Sequence, residues 1–141
     1  GTVLGTGTPV DTPLPPTPTV VPAPMDNDSA QAPAINIVFS ANGTRSIQYT
    51  SDVSAPSGDT DDWIQFTPIT QTVFIQLTCI GNGLLNVELW RDNQLMANWG
   101  SCGSSKEITL PTNTTYLLHI QAITGESLNY TQYTLKITSL P

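Results

Sequence analysis

Apolar and polar residues alternate along most of the chain that follows residue 34. The longest run of this kind places four residues on one face: Val73, Ile75, Leu77 and Cys79. Alternation with a period of two is typical of a half-buried strand, whereas no window shows the 3.6-residue period of an amphipathic helix. The pattern therefore predicts an all-β chain.

Turn signals divide this alternation into eight or nine short strands. Asn42-Gly43 indicates a hairpin, Asp92-Asn93 a second turn, and further turns are expected at Gly81-Asn82-Gly83 and Thr124-Gly125-Glu126. Many short strands fit a two-sheet sandwich or a small barrel. Since each strand has one apolar face, we predict an antiparallel two-sheet sandwich, jelly-roll-like, over residues 26–141.

Residues 1–25 differ sharply in composition, because Pro and Thr dominate from Thr12 to Pro24. Proline fixes φ and removes a backbone donor, so this stretch is predicted to be extended and close to polyproline II. Two interpretations stay open for it. It is either a plain stalk or an arm that lies along a neighbouring molecule.

Charge excludes several classes of partner. The chain of 141 residues carries a net charge of −7 and only four Lys or Arg residues. So few cations cannot neutralise a run of phosphates or an anionic membrane surface, which argues against both. No apolar run is long enough to predict a membrane span, and the acidic surplus suits cations such as Ca²⁺.

Cys79 and Cys102 are the two cysteines of the chain. A single pair in a secreted domain predicts a disulfide, and two separate buried thiols are the alternative. Spacings typical of zinc sites or thiol redox catalysis are missing. The chain starts at Gly1 without Met, so we expect a processed protein that is extracellular or at the cell surface.

Three stretches resemble the bacterial pre-peptidase C-terminal domain family, β-sandwich modules of secreted proteins. The first is Asp26-Asn27-Asp28-Ser29-Ala30-Gln31-Ala32, and the second runs from Gly58-Asp59-Thr60-Asp61-Asp62-Trp63 to Thr67. The third is a closing pair of strands, one beginning at Tyr116 and the other at Tyr133. The likeness covers roughly residues 26–138 and implies an accessory module without catalysis.

The resemblance also implies that the two acidic stretches meet in space and bind calcium. The candidate ligands are Asn27, Asp28, Asp59, Asp61 and Asp62, with Asp26 beside them. Ca²⁺ takes six to eight oxygen ligands, which clustered Asp and Asn supply. The second stretch is one residue longer than the family pattern, so either Asp61 or Asp62 matches it. The alternative is a set of turn formers on solvated loops.

Trp63, Trp90 and Trp99 are the candidate binding residues. Alternation places Trp63 and Trp90 opposite the inward residues of their strands, and Trp99 lies beside Gly100-Ser101-Cys102. An exposed indole can stack on a sugar ring or an extended peptide. The alternative is that these rings cover a sheet edge, pack on the disulfide or lie under a neighbouring subunit.

Nothing in the sequence indicates catalysis. His119, the one histidine, falls on the outward face of a strand and is expected to be solvated. It lacks a recognisable nucleophile, and no Gly-x-Ser-x-Gly elbow or phosphate-binding glycine loop is present. Paired carboxylates serve glycoside hydrolysis, but no second cleft residue can be identified. The chain is therefore predicted not to be an enzyme.

Two functions fit these observations. The first is a binding or adhesion module, held on its stalk and contacting an extracellular polymer such as a polysaccharide or a fibrous protein. The second is a structural subunit of an extracellular filament, sheath or surface layer, which binds copies of itself through the N-terminal arm. Calcium is the one cofactor expected in either.

Overall fold

The computed structural model describes residues 21–43, 45–81, 84–100, 102–125 and 127–140. Within these ranges the chain forms nine strands and no helix. They are β1 (Ile35–Val38), β2 (Ser46–Ala55), β3 (Asp61–Thr67), β4 (Thr72–Gly81), β5 (Leu85–Arg91), β6 (Gln94–Gly100), β7 (Ser105–Thr109), β8 (Tyr116–Ala122) and β9 (Asn129–Leu140). The first 20 residues of the stalk predicted over residues 1–25 lie outside the described residues, as do the turn residues Asn82, Gly83 and Glu126.

The strands form two sheets that pack as a sandwich. One sheet has five strands in the order β1-β3-β8-β5-β6, and the other has four in the order β2-β9-β4-β7. Every neighbouring pair is antiparallel except β1 and β3, which run parallel. The predicted all-β sandwich is confirmed.

The inward residues of both sheets form one core. Period-two alternation is seen in β4, where Val73, Ile75 and Leu77 are buried, as predicted. Tyr116 and Tyr133 are the largest fully buried side chains. Burial of each large apolar side chain contributes roughly 1.5–3 kcal/mol, so this shared core is the main force that holds the sheets together.

The hairpin predicted at Asn42-Gly43 is wrong. The chain does turn there, but β1 and β2 belong to different sheets. β1 pairs instead with β3, with Ile37 opposite Phe66. Ile37 and Phe39 are buried in the core, so the turn carries the chain across the core from one sheet to the other.

The turn predicted at Asp92-Asn93 is confirmed as a tight hairpin between β5 and β6. Arg91 pairs with Gln94, and the two residues between them have φ values of 49° and 64°. Positive φ at both central positions is the conformation that matches the twist of a two-residue hairpin, and Asp and Asn tolerate it.

The predicted disulfide is confirmed, and the alternative of two separate thiols is wrong. Cys79 of β4 bonds to Cys102 in the loop between β6 and β7, with an S–S distance of 2.02 Å. The bond fastens that loop to β4, which also holds it by backbone hydrogen bonds from Gly103 to Leu77 and from Leu77 to Ser104. A disulfide suggests an oxidising compartment.

None of the described residues belongs to a helix with the length and apolarity that crossing a membrane requires.

Candidate functional site

Four carboxylates converge at the end of the sandwich where β3 begins. Asp26 and Asp28 precede β1, Asp59 lies in the loop between β2 and β3, and Asp62 is the second residue of β3. One oxygen atom from each lies within 4.8 Å of those of the others. We call these four residues the acidic cluster.

Backbone docking brings the two acidic stretches together. Ala23 is buried, its amide donates to the Ser54 hydroxyl at 2.8 Å, and its carbonyl accepts from the Asp59 amide at 2.9 Å. Gly58 makes this approach possible, because its φ is +87° and a Cβ there would lie 2.7 Å from the Ala23 carbonyl oxygen. The segment that leads from Ala23 to β1 is therefore fixed against the β2–β3 loop.

Asp28 fastens the segment to β3 as well. Its Oδ2 accepts a hydrogen bond from the Trp63 amide at 2.5 Å, and the Trp63 carbonyl accepts one from the Ala34 amide at 2.8 Å. Within the segment, Asp26 Oδ1 accepts the Asp28 amide at 3.2 Å. Asp28, a member of the acidic cluster, thus also holds the backbone of Trp63, a candidate binding residue.

Asp62 is the most deeply placed member of the acidic cluster. It lies on the inward face of β3 with Ile64 and Phe66, and it is fully buried. Its Oδ2 accepts the Tyr133 hydroxyl at 2.5 Å, whereas its Oδ1 has no hydrogen-bond partner among the described residues. A buried carboxylate oxygen without a partner is costly, and either a proton shared with a neighbouring carboxylate or a cation bound among the four would supply that partner.

Crowding and burial alter the acidity of these groups. Burial raises the pKa of Asp62 to about 8, that of Asp28 to about 7 and that of Asp59 to about 6, and neighbouring carboxylates add to each shift. Burial also acts to raise the pKa of Asp26, but hydrogen bonds from its neighbours outweigh it, so that pKa is lowered. The cluster thus retains protons near neutral pH that a divalent cation would displace.

Three of the five predicted ligands lie in the acidic cluster, namely Asp28, Asp59 and Asp62. Asp61 does not, because its carboxylate turns to the opposite face of β3. Asn27 lies between Asp26 and Asp28, is exposed and has a φ of 61°. Asp59 and Asp62 are buried, unlike residues of a solvated loop.

Asp61 instead takes part in a cluster on the outer face of the five-stranded sheet. Its Oδ2 lies 2.6 Å from His119 Nε2, and Glu88 Oε1 lies 2.8 Å from His119 Nδ1. The Trp63 ring stacks on the imidazole with a centroid distance of 3.8 Å and an interplanar angle of 9°. His119 is only 7% exposed, so the expectation that it is solvated is wrong. It does face outward, but Trp63 covers it.

Glu88 connects His119 to Trp90, the second of the two outward tryptophans. Its Oε1 also accepts the Trp90 indole N–H at 3.1 Å, so His119 and Glu88 together hold both indoles. Between the indoles lies a hollow of about 130 Å³, which we call the aromatic hollow. It is lined by Ala30, Trp63, Trp90, Asp92, Asn93 and Leu117.

Trp99 lies elsewhere. It pairs with Val87, an inward residue of β5, and packs against the core. The structure thus brings Trp63 and Trp90 together and leaves Trp99 apart from them.

Sequence reasoning missed Glu88, Asp92, Asn93 and Tyr133 as parts of these sites. Alternation alone carried a signal for Glu88, since it shares the outward face of β5 with Trp90. The same alternation separates Asp61 from Asp62, because Asp62 is in phase with the inward residues Ile64 and Phe66.

The fold is similar to that of a periplasmic lysozyme inhibitor. Aeromonas hydrophila PliG, a periplasmic inhibitor of g-type lysozyme, matches with a TM-score of 0.50 and 13% identity, over 74% of this chain and 96% of its own. At that identity the likeness shows the fold alone.

Two further solved structures are similar at lower scores. The pre-peptidase C-terminal domain of a Bacillus anthracis collagenase has a TM-score of 0.43 and 13% identity, over 71% of this chain and 91% of its own. The disulfide-linked pili of Bacillus endospore appendages have a TM-score of 0.31 and 16% identity, over 75% and 99%. Neither a protein-family model nor a curated protein sequence matches the chain. The resemblance to the pre-peptidase C-terminal family therefore stays a prediction.

Proposed function

We propose that residues 26–141 form a non-catalytic extracellular binding module, displayed on the arm formed by residues 1–25. The observation that carries this proposal is the pair Trp63 and Trp90, held beside one hollow on the outer face of the five-stranded sheet. Indoles fixed in advance lose little conformational entropy when a ligand binds, which is what a recognition surface requires. The ligand would be a group on an extracellular polymer.

The state of the one histidine supports a role without catalysis. Both ring nitrogens of His119 lie within hydrogen-bond distance of carboxylate oxygens, and one ring face is covered by Trp63. A general base needs a ring nitrogen that can reach a substrate proton. His119 is better suited to positioning Trp63 than to proton transfer.

The acidic cluster fits calcium as a structural ion. Asp26, Asp28, Asp59 and Asp62 would hold it, and the orphaned Asp62 Oδ1 is an oxygen of the kind that Ca²⁺ binds. The ion would neutralise the mutual repulsion of these carboxylates. It would also fix the segment before β1 to the β2–β3 loop and, through Asp28, to Trp63.

Retention on insoluble polymers tests the binding function. The full chain would be incubated with particulate polysaccharides and with fibrous proteins, and the bound fraction measured for wild type, Trp63→Ala and Trp90→Ala. Phe74→Ala is the matched control, because Phe74 is an outward aromatic residue of the other sheet. We expect both tryptophan variants to lose most of the retention and the control to keep it. Wild-type retention in both tryptophan variants would refute the proposal.

One observation favours a structural subunit as a second function. β6 is an edge strand without charge or proline, and Leu95 and Met96 on it are 46% and 38% exposed. Proteins usually protect such edges, and an unprotected edge can pair with a strand of another molecule. A chain lacking residues 1–20, which keeps Ala23 docked on the β2–β3 loop, should then stay monomeric where the full chain polymerises. If both stay monomeric at high concentration in light scattering, the filament proposal is lost.

A further inference from the structure

We propose that the aromatic hollow binds a compact organic cation, and specifically a methylated alkylammonium group. This inference rests on the proposed binding function and names the ligand chemistry of the same face. Its basis is the combination of two fixed indoles, a carboxylate at the rim and a volume that suits one small group.

Size limits the ligand first. The hollow has a volume of about 130 Å³, whereas pockets for drug-sized ligands usually measure roughly 300–1,000 Å³. It therefore accommodates one compact head group and not a run of sugar rings. Leu117 and Ala30 add apolar surface to its lining. An apolar lining favours a ligand group that is itself only weakly hydrated.

The aromatic lining favours a cation. A cation near the face of a Trp ring is attracted by the ring quadrupole, by about 0.5–1 kcal/mol at exposed sites and about 2 kcal/mol when desolvated. The Trp90 indole N–H donates to the Glu88 carboxylate, and this leaves more electron density on the indole ring. Trp63 is fixed by its stacking on His119, so both rings are in place before a ligand arrives.

The negative charge of Asp92 at the rim of the hollow also favours a cation. Asp92 is exposed in the tight turn between β5 and β6, and none of the described residues that line the hollow is a Lys or an Arg. Asp92 and Asn93 both have positive φ in the tight turn, so the backbone at this edge of the hollow is held in one conformation. A carboxylate beside two indoles attracts a positive charge directly, an attraction that a neutral ligand of the same size does not gain. With a net charge of −7, the whole chain also attracts cations.

A pair of isosteric probes tests the proposal on the full chain. Choline and 3,3-dimethyl-1-butanol have nearly the same shape, but only choline is charged. Each would be titrated while the indole N–H resonances of the tryptophans are followed by NMR. We expect choline to bind with roughly millimolar affinity and at least tenfold more tightly than the neutral alcohol. Equal binding of the two probes, or no response to either, would overturn the proposal.

Three variants locate the site. Asp92→Asn keeps the size of the side chain and tolerates positive φ, so the turn should persist. It should weaken choline binding severalfold and leave 3,3-dimethyl-1-butanol unaffected. Trp90→Phe should weaken both probes. Glu107→Gln removes an exposed carboxylate on β7 in the other sheet and should change neither. An Asp92→Asn protein that binds choline like wild type would contradict the assignment.

The same titration separates two sources of this chemistry. Phosphocholine represents a lipid or glycan head group, and Nα-acetyl-Nε-trimethyl-lysine represents a modified protein. Binding of either supports the cation site, and the tighter of the two identifies its source. If Trp63 and Trp90 retain a polymer that excess choline does not displace, the cation proposal fails while the binding function stands.

Discussion

The imidazole of His119 lies flat beneath the indole of Trp63, with 3.8 Å between the ring centroids. The two residues face each other across β8 and β3, and Glu88 is the next residue in the same cross-strand row. The imidazole bridges two carboxylates and supports an indole at the same time. On the outer face of the five-stranded sheet, this one ring therefore connects Asp61, Trp63 and Glu88.

We expect His119→Ala to destabilise the domain and loosen Trp63. The change leaves a void under the indole and removes the partner of Asp61 and Glu88, so a loss of about 2–3 kcal/mol is expected. Urea unfolding measures the loss, and a red shift of tryptophan emission reports the loosened ring. Tyr130→Phe, which removes a single outer-face hydrogen bond to Asp52, is the control and should cost less. Wild-type stability in His119→Ala would contradict this role.

Calcium should stabilise the domain through the acidic cluster. At a free concentration 100-fold above the dissociation constant, a ligand that binds only the folded state adds about 2.7 kcal/mol. Thermal unfolding in calcium and in EDTA measures this difference. Asp28→Asn and Asp62→Asn should abolish most of it, whereas Glu107→Gln, an exposed carboxylate on β7, should not. Equal melting temperatures with and without calcium in wild type would argue against the ion.

Without calcium, stability should fall as the pH rises from about 4 to 8. Burial raises the folded-state pKa of Asp59 to about 6, of Asp28 to about 7 and of Asp62 to about 8, from 3.8 when unfolded. The folded state then binds more protons than the unfolded state in this range, so unfolding becomes easier at higher pH. The free energy of unfolding should fall by about 1.4 kcal/mol per pH unit for each proton that the chain takes up when it folds.

Asp26 acts in the opposite sense, because its pKa is lowered and its contribution is lost only below pH 3.8. Urea unfolding in EDTA at pH 5 and pH 8 tests the sign. Calcium should reverse the trend, since the ion binds the ionised carboxylates. A metal-free protein that is more stable at pH 8 than at pH 5 would contradict the raised pKa values.

Removing the disulfide should lower stability by about 3 kcal/mol in the chain-entropy estimate for a loop of this length. Cys79 and Cys102 are 23 residues apart, and the bond fastens the β6–β7 loop to β4. The double variant Cys79→Ala, Cys102→Ala should unfold at a lower urea concentration. The acidic cluster, which lies on β3 and in the segments before β1 and β3, should keep its calcium response. An unchanged midpoint would show that the backbone hydrogen bonds of Leu77 hold the loop alone.

Alternation predicted the strands well because burial of one face is a local property of the sequence. It predicted the inward face of β4 and the outward positions of Trp63 and Trp90, and the Asp92-Asn93 turn followed from residues that tolerate positive φ. The pairing of β1 with β3 was not predictable in the same way. A turn signal at Asn42-Gly43 cannot distinguish a hairpin from a crossing between sheets.

The sites were predictable only in part, because they form between residues far apart in the chain. The acidic stretches were recognised from their resemblance to a family, but the choice between Asp61 and Asp62 needed the phase of β3. His119 meets Asp61 and Glu88 across separations of 58 and 31 residues, and nothing local indicates that Trp63 covers it. Long-range contacts of this kind require the sheet order.

The order of the four-stranded sheet bears on how the domain is made. β9 lies between β2 and β4 and supplies Tyr133 to Asp62 in the other sheet, although it follows all the other described strands in chain order. β2 therefore pairs with a strand that follows it much later in the chain, with Thr50 and Thr134 84 residues apart, and loop closure over such distances slows folding. A ribosome or export channel that releases the chain N-terminus first thus delivers the central strand last. The domain should stay unfolded, and able to thread a narrow channel, until nearly all of it has passed.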